Sequence, residues 1–231
     1  AVVRAVVLLV QAAGGRAIIA DNPFVLPLTA GGWQSFYERT GLAAVAAETG
    51  AELNTHVRPL QRPHPDGTLI KVVDTSSFLV EADVVISVPK LKTHGFMRYT
   101  GAVKNLFGVI PGLTKPGYHA RLADTRRFCG MMLDLAALVA PRLNIVDAVV
   151  AMEGEGPGGG DPRPVGWLLA SQDPLAVDVV AGEIMGLPWR DNPLLVEAEA
   201  RGTTPARIED VELVGAEPAD LRVADFRLPE T

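Results

Sequence analysis

Two apolar runs rich in β-branched residues constrain this chain most: Val84 to Val88 (VVISV), closed by Pro89, and Leu143 to Met152. Runs of this kind fill central strands that are covered on both faces. Gly166 to Ser171 (GWLLAS) reads as a further strand, Arg16 to Asp21 as a short one before an Asn22-Pro23 break, and Val211 to Val214 as the last. Helical stretches lie between them. Ala1 to Ala13 is apolar on nearly every side, hence largely buried, and ends at Gly14-Gly15; Trp33 to Glu48 is split at Thr40-Gly41. Ala102 to Val109, Arg121 to Val139 and a helix opened by Asp173-Pro174 and running to about Met185 complete the set. This alternation predicts an α/β fold: a largely parallel or mixed sheet with helices on both faces, spanning 1–231 as one domain or as two small lobes. In such sheets ligands collect at the carboxyl ends of strands. Lys90 to His94 and Glu153 to Asp161 each follow a buried run, so a basic and an acidic loop should meet at one edge.

Composition narrows the class. Cys129 is the only cysteine, so no disulfide framework and no four-cysteine zinc or iron-sulfur site can form within the chain, and a reducing, cytoplasmic setting is expected. The first apolar stretch is too short for a bilayer and lacks the pattern of a signal peptide. The chain opens without Met inside a helical stretch, which reads as a fragment or a processed product and leaves room for a first strand before Ala1. A net charge of −6 argues against a general nucleic-acid or membrane surface. Yet Lys90, Lys92, Arg98, Lys104, Lys115, Arg121, Arg126 and Arg127 stand against Asp124 alone between positions 90 and 127, and four of the five lysines lie within 90–115. Lysine here is not generic surface solvation.

Pro89 to Gly95 (PKLKTHG) places two ammonium groups and an imidazole within five residues; if locally extended, Lys90, Lys92 and His94 share one side. Crowded cations are neutralised by an anionic ligand or by carboxylates of the acidic remainder. Thr100 to Gly108 (TGAVKNLFG) adds Lys104 and Asn105 among small residues that permit close backbone approach, with no Walker motif and no dinucleotide glycine fingerprint. Asp147, Glu153, Glu155 and Asp161 flank a Gly-rich loop that could hold a hard cation, close over a ligand, or simply flex. Asp147, in a buried-looking run, needs a partner such as Lys90, Lys92 or Lys104, and Asp178, in an apolar helix, raises the same question. Cys129 reads as buried and inert, and His56 and His64 as solvated residues of the exposed loop or hairpin tip Arg58 to Gly67.

The segments Pro89 to His94, Thr100 to Gly108, Val146 to Pro157 (VDAVVAMEGEGP) and Asp173 to Asp178 (DPLAVD) together resemble the DUF362 family, a widespread prokaryotic domain of unassigned biochemical function. Many members carry ferredoxin cysteines; this chain lacks them, so an iron-sulfur assignment does not transfer. More distantly, His94, Lys104, Pro111-Gly112 and His119 are similar in order and spacing to the nickel-pincer lactate racemase family. That resemblance implies His94 as a proton-transfer base, Lys104 as a cofactor tether and His119 as a ligand of nickel or another divalent metal. Gly101-Ala102-Val103 departs from the racemase glycine pair before the lysine, and their large second domain has no counterpart here.

The expected function is an enzyme domain that binds a small anionic organic substrate or cofactor, with isomerase- or racemase-like proton transfer. His94 and Lys104 are the candidate catalytic residues, Lys90, Lys92, Lys104, Asn105 and Asp147 the candidate binding residues, and His119 the candidate metal ligand. The rival is a non-catalytic module whose Arg121, Arg126 and Arg127 dock an acidic, ferredoxin-like redox partner.

Overall fold

The computed structural model describes residues 1–23, 30–56 and 58–230. The chain divides into two compact units: Ala1–Arg62, Asp74–Asp83 and Gly108–Tyr118 in the first, Pro63–Val73, Val84–Phe107 and His119–Thr231 in the second. From the amino end run α1 (Val2–Ala12), β1 (Ile18–Ile19), α2 (Ala30–Arg39), α3 (Leu42–Thr49), β2 (Glu52–Leu53), β3 (Pro59–Pro63), β4 (Val72–Ser76) and α4 (Phe78–Glu81). There follow β5 (Ile86–Ser87), β6 (Lys90–His94), β7 (Arg98–Thr100), α5 (Ala102–Asn105), α6 (Lys115–Arg121), α7 (Thr125–Val139), β8 (Leu143–Glu153), β9 (Asp161–Ser171), α8 (Pro174–Met185), α9 (Pro193–Ala200) and α10 (Pro218–Leu221). The fold is mixed α/β, as the alternation predicted.

In the first unit β1 runs parallel to β2, and the break between α2 and α3 falls at Thr40-Gly41 as expected. Trp33 stacks on Tyr37, whose hydroxyl donates to the Asn54 carbonyl. The Lys115 ammonium donates to the Asn22 carbonyl, and the Asn22 amide donates to Ser76 Oγ and to the Gly108 carbonyl, each at 2.7 Å. One of the four clustered lysines is thus a structural cation in the first unit. The α1 helix forms, but its expected burial does not: Val7 is its one fully buried residue and Leu9 is 70% exposed.

The second unit is organised around β8. Along one edge β5 and then β6 lie parallel to it, Ile86 opposite Leu143 and Lys92 opposite Met152; along the other, β9 lies antiparallel. β7 pairs antiparallel with β6, completing a mixed five-stranded sheet. Four expectations change here. Only Ile86 and Ser87 of the Val84 to Val88 run are strand, and the basic segment expected as a loop is itself β6. Proline has no N–H to give a ladder, so Pro89 interrupts one long strand into two, while its carbonyl accepts from the Asp147 amide at 2.9 Å. β9 begins at Asp161 rather than Gly166, with Pro162 and Pro164 tolerated because, among the described residues, it pairs with β8 alone. Val211 to Val214 forms no strand; Val211 and Leu213 pack on the core as extended chain.

Alternation sorts the sheet residues. Leu91, Tyr99, Val146, Ala148, Ala151 and Leu169 face α8 and pack on its Val177, Val180, Ala181 and Ile184, each buried leucine, isoleucine or valine contributing about 1.5 to 3 kcal/mol. Lys90, Lys92 and His94 take the opposite side of β6, exposed or half-buried, as period two predicts. The Asp173 side chain caps α8 by accepting from the Leu175 amide at 2.8 Å, and Asp124 caps α7 by accepting from the Arg127 amide at 2.9 Å; the helix expected over Arg121 to Val139 therefore begins at Thr125. His64, expected in solvent, is buried, and His56 is exposed. No helix among the described residues is long and apolar enough to cross a membrane.

Candidate functional site

The site is built at the carboxyl end of β6. His94 ends that strand, and the chain turns back through Gly95, Phe96 and Met97 to Arg98, which takes a left-handed conformation with φ 67° and pairs with His94. The amides of Phe96 and Met97 both donate to His94 Nδ1, at 3.1 and 3.3 Å. The imidazole thereby satisfies the hairpin turn it stands beside. Burial, then Lys104, Lys92 and His119, push its pKa down to about 4, so the ring is neutral at physiological pH.

Lys104 reaches the same place from α5, and the start of α5 is held by Asp178. One oxygen of that fully buried carboxylate accepts from the Ala102 amide and the other from the Val103 amide at 2.9 Å, while the Tyr99 hydroxyl donates to the Asp178 carbonyl at 3.3 Å. Gly101 is required by this contact, because a Cβ there would collide with the Asp178 carboxylate and the Tyr99 ring. Two motifs far apart in the chain, Thr100 to Gly108 and Asp173 to Asp178, exist here for each other. The Lys104 ammonium lies 4.6 Å from the centre of the Phe107 ring and 5.7 Å from that of Phe128. His119, from α6, stacks on Phe128 at 4.6 Å and meets the rings of Phe96 and Phe107 at steep angles, 5.9 and 5.5 Å away. Lys92, His94, Lys104 and His119 therefore converge from three segments of the second unit. Asn105 turns aside and donates to Ser87 Oγ at 3.0 Å.

Other expected members engage elsewhere. Asp147 is half-buried rather than enclosed, because its position in β8 faces away from α8; it pairs with Lys90 at 3.0 Å. Such an exposed pair contributes little, so Lys90→Ala is expected to change stability by less than about 1 kcal/mol in urea denaturation. Glu153 closes β8, buried, and Asp161 opens β9; both bind the Arg227 guanidinium, at 3.0 and 2.6 Å, and Glu153 also lies 3.9 Å from Arg163. Glu155 accepts from the Glu230 amide. These carboxylates anchor the carboxyl-terminal segment. The Gly-rich loop does lie beside the basic strand end, as expected: Gly95 donates to the Gly156 carbonyl at 3.1 Å, and a Cβ on Gly156 would strike the Thr93 carbonyl. Among the described residues no three His, Cys, Asp or Glu side chains gather as a metal ion would require, and phenyl rings and the Lys104 ammonium surround His119. Cys129 is buried and its thiol pushed up to about 12, the inert state expected of it. Arg121, Arg126 and Arg127 are exposed, and Arg126 pairs with Glu197 at 3.5 Å.

Sequence reasoning missed the rings of Phe96 and Phe128, which line the cluster, and the capping role of Asp178. It also missed Thr100, which stands opposite Lys92 across β6 and β7 and whose buried hydroxyl has no hydrogen-bond partner among the described residues. Phe96 lies two residues after His94 and could have been noticed; the others become neighbours only through folding.

The family described as a domain of unknown function, DUF362, matches residues 1–183. Over 242 aligned positions the chain is 35% identical to the thylakoid-associated protein sll1697 of Synechocystis sp. (strain ATCC 27184 / PCC 6803 / Kazusa), an alignment covering 99% of this chain and 69% of that protein. No solved structure matches it. With its four motifs joined in one fold and the match running into α8, the chain belongs to the DUF362 family.

Proposed function

We propose that this chain binds a small anionic organic molecule at the Lys92, His94, Lys104 and His119 cluster, and that the cluster stabilises the negative charge that develops on that molecule during proton transfer of the isomerase or racemase type. One observation carries the reading: three segments spaced ten and fifteen residues apart bring two ammonium groups and two imidazoles together at the carboxyl end of a strand, where α/β sheets place ligands. Concentrated positive charge lowers the free energy of a bound carboxylate or phosphate. Lys104, half-buried beside two phenyl rings, is the anchor, Lys92 supports it, and the Phe96, Phe107 and Phe128 rings give the ligand's apolar part a wall. The setting is taken to be reducing and cytoplasmic.

Native mass spectrometry of the protein purified from its own host, under gentle and denaturing conditions, tests the reading. A bound organic mass under gentle conditions, lost from Lys104→Ala by ten-fold or more, is expected. Undiminished retention by Lys104→Ala would overturn the assignment of the anchor. A bare polypeptide under both conditions, with salt-sensitive binding to an acidic redox protein, would favour docking through Arg121, Arg126 and Arg127 instead.

A further inference from the structure

We infer that His94 is a fixed hydrogen-bond donor that reads an oxyanion: its Nε2–H, with the ammonium groups of Lys92 and Lys104, recognises a carboxylate or phosphate oxygen. The inference starts from the hairpin. Two backbone amides donate to His94 Nδ1, at 3.1 and 3.3 Å, so that nitrogen carries a lone pair and the ring proton resides on Nε2. The other tautomer would press an Nδ1–H against two N–H groups. Imidazolium would do the same and set a further positive charge beside Lys92, Lys104 and His119.

The consequence is chemical. To act as a base or a metal ligand through Nε2, the ring would have to move its proton to Nδ1 and give up both turn hydrogen bonds. Held as it is, His94 offers one donor toward the site and no acceptor. Lysine ammonium groups are donors only, so the three together accept a ligand rich in acceptor oxygens and reject cations and donor-rich neutral groups. If negative charge develops on a bound oxygen, a neutral imidazole N–H stabilises it without surrendering the proton. The recognition part rests on the binding reading above; the tautomer does not.

Nitrogen-15 NMR of the histidine rings tests both parts on the intact chain. There are four histidines, so the signals can be assigned by substituting His56, His64 and His119 singly. Between pH 6 and 8, His94 is expected to show an unprotonated Nδ1 and a protonated Nε2, unchanged across the range. Inorganic phosphate and acetate, titrated to tens of millimolar, are expected to shift the Nε2–H signal. The His94→Asn protein keeps an oxygen where Nδ1 accepts but loses the distal donor, and it should bind phosphate about ten-fold more weakly. A protonated Nδ1, or an imidazolium forming in that range, would overturn the inference. Phosphate binding unchanged in His94→Asn but lost in Lys104→Ala would remove the donor role and leave the binding reading standing. If neither anion moves any signal while the tautomer is as stated, the binding reading fails and the oxyanion-reading role with it. Should His94→Asn not fold, the titration of the unaltered protein decides alone.

Discussion

Gly101→Ala is expected to destabilise the protein by about 3 kcal/mol or more and to displace Lys104 from His94. The added methyl would sit on the Asp178 carboxylate and against the Tyr99 ring, neither of which can retreat: Asp178 is fully buried and Tyr99 is 2% exposed. Overpacking of this kind costs about 1 to 3 kcal/mol, and parting the carboxylate from the Ala102 and Val103 amides adds about 1 to 3 for each buried donor left unsatisfied. Gly95→Ala is the matched control, since a Cβ there meets only the Gly156 carbonyl at 3.9 Å, an ordinary contact. Urea denaturation of the two variants checks the difference. Equal midpoints would mean that the Gly101 and Asp178 contact does not hold the Lys104 turn. Ligand loss in Gly101→Ala at temperatures where it remains folded would tie that contact to the site as well as to stability.

The second large effect is on pH dependence. Burial pushes the Asp178 carboxyl up to about 7, against the pull of the Val103 and Ala102 amides and the Tyr99 hydroxyl. An unfolded aspartate titrates near 3.9, so between these values the folded state holds a proton that the unfolded state has released. The stabilisation is therefore fully present below about pH 4 and is lost as pH rises through about 7. Its size is on the order of 4 kcal/mol, from 1.36 kcal/mol for each pH unit between the two. Asp178→Asn cannot titrate. The stability of the natural protein relative to this variant should fall from pH 4.5 to about 7 and level off above it, and other titrating groups cancel in the difference. A difference that stays flat would show that the two amides outweigh burial and keep Asp178 ionised throughout. A difference that rises would reverse the sign and contradict the buried carboxyl outright.

Both experiments probe the same joint from opposite sides, and that joint explains how a chain with few lysines concentrates them usefully. Of the eight cations between positions 90 and 127, Lys115 is spent on the Asn22 carbonyl, Lys90 on Asp147, Arg98 on the Pro229 carbonyl and Arg126 on Glu197. Lys92 and Lys104 are the two that surround His94. The first comes by strand alternation, the second by the Asp178 clasp on α5.

Much of this was legible before any coordinates. Leu143 to Met152 is a strand because its composition admits little else, and Asp173-Pro174 opens α8 because a capping carboxylate and a preset φ are local devices. Period two put Lys90, Lys92 and His94 on one side of β6 wherever the chain was extended there. Other features were decided by contacts that no local pattern encodes. The leaning of Asp147 toward solvent depends on which face of β8 meets α8; the fate of Val211 to Val214 was set by the packing of Val211 and Leu213 on the core rather than by pairing with a strand. Lys104 and His119 meet His94 through rings contributed by Phe96, Phe107 and Phe128, positions up to 32 residues apart in the chain. Short-range rules of hydrogen bonding, sterics and alternation therefore determined the elements and the candidates from the sequence alone. Only tertiary packing decided which lysines share a site and which nitrogen of His94 carries the proton, because burial and long-range pairing set those free energies.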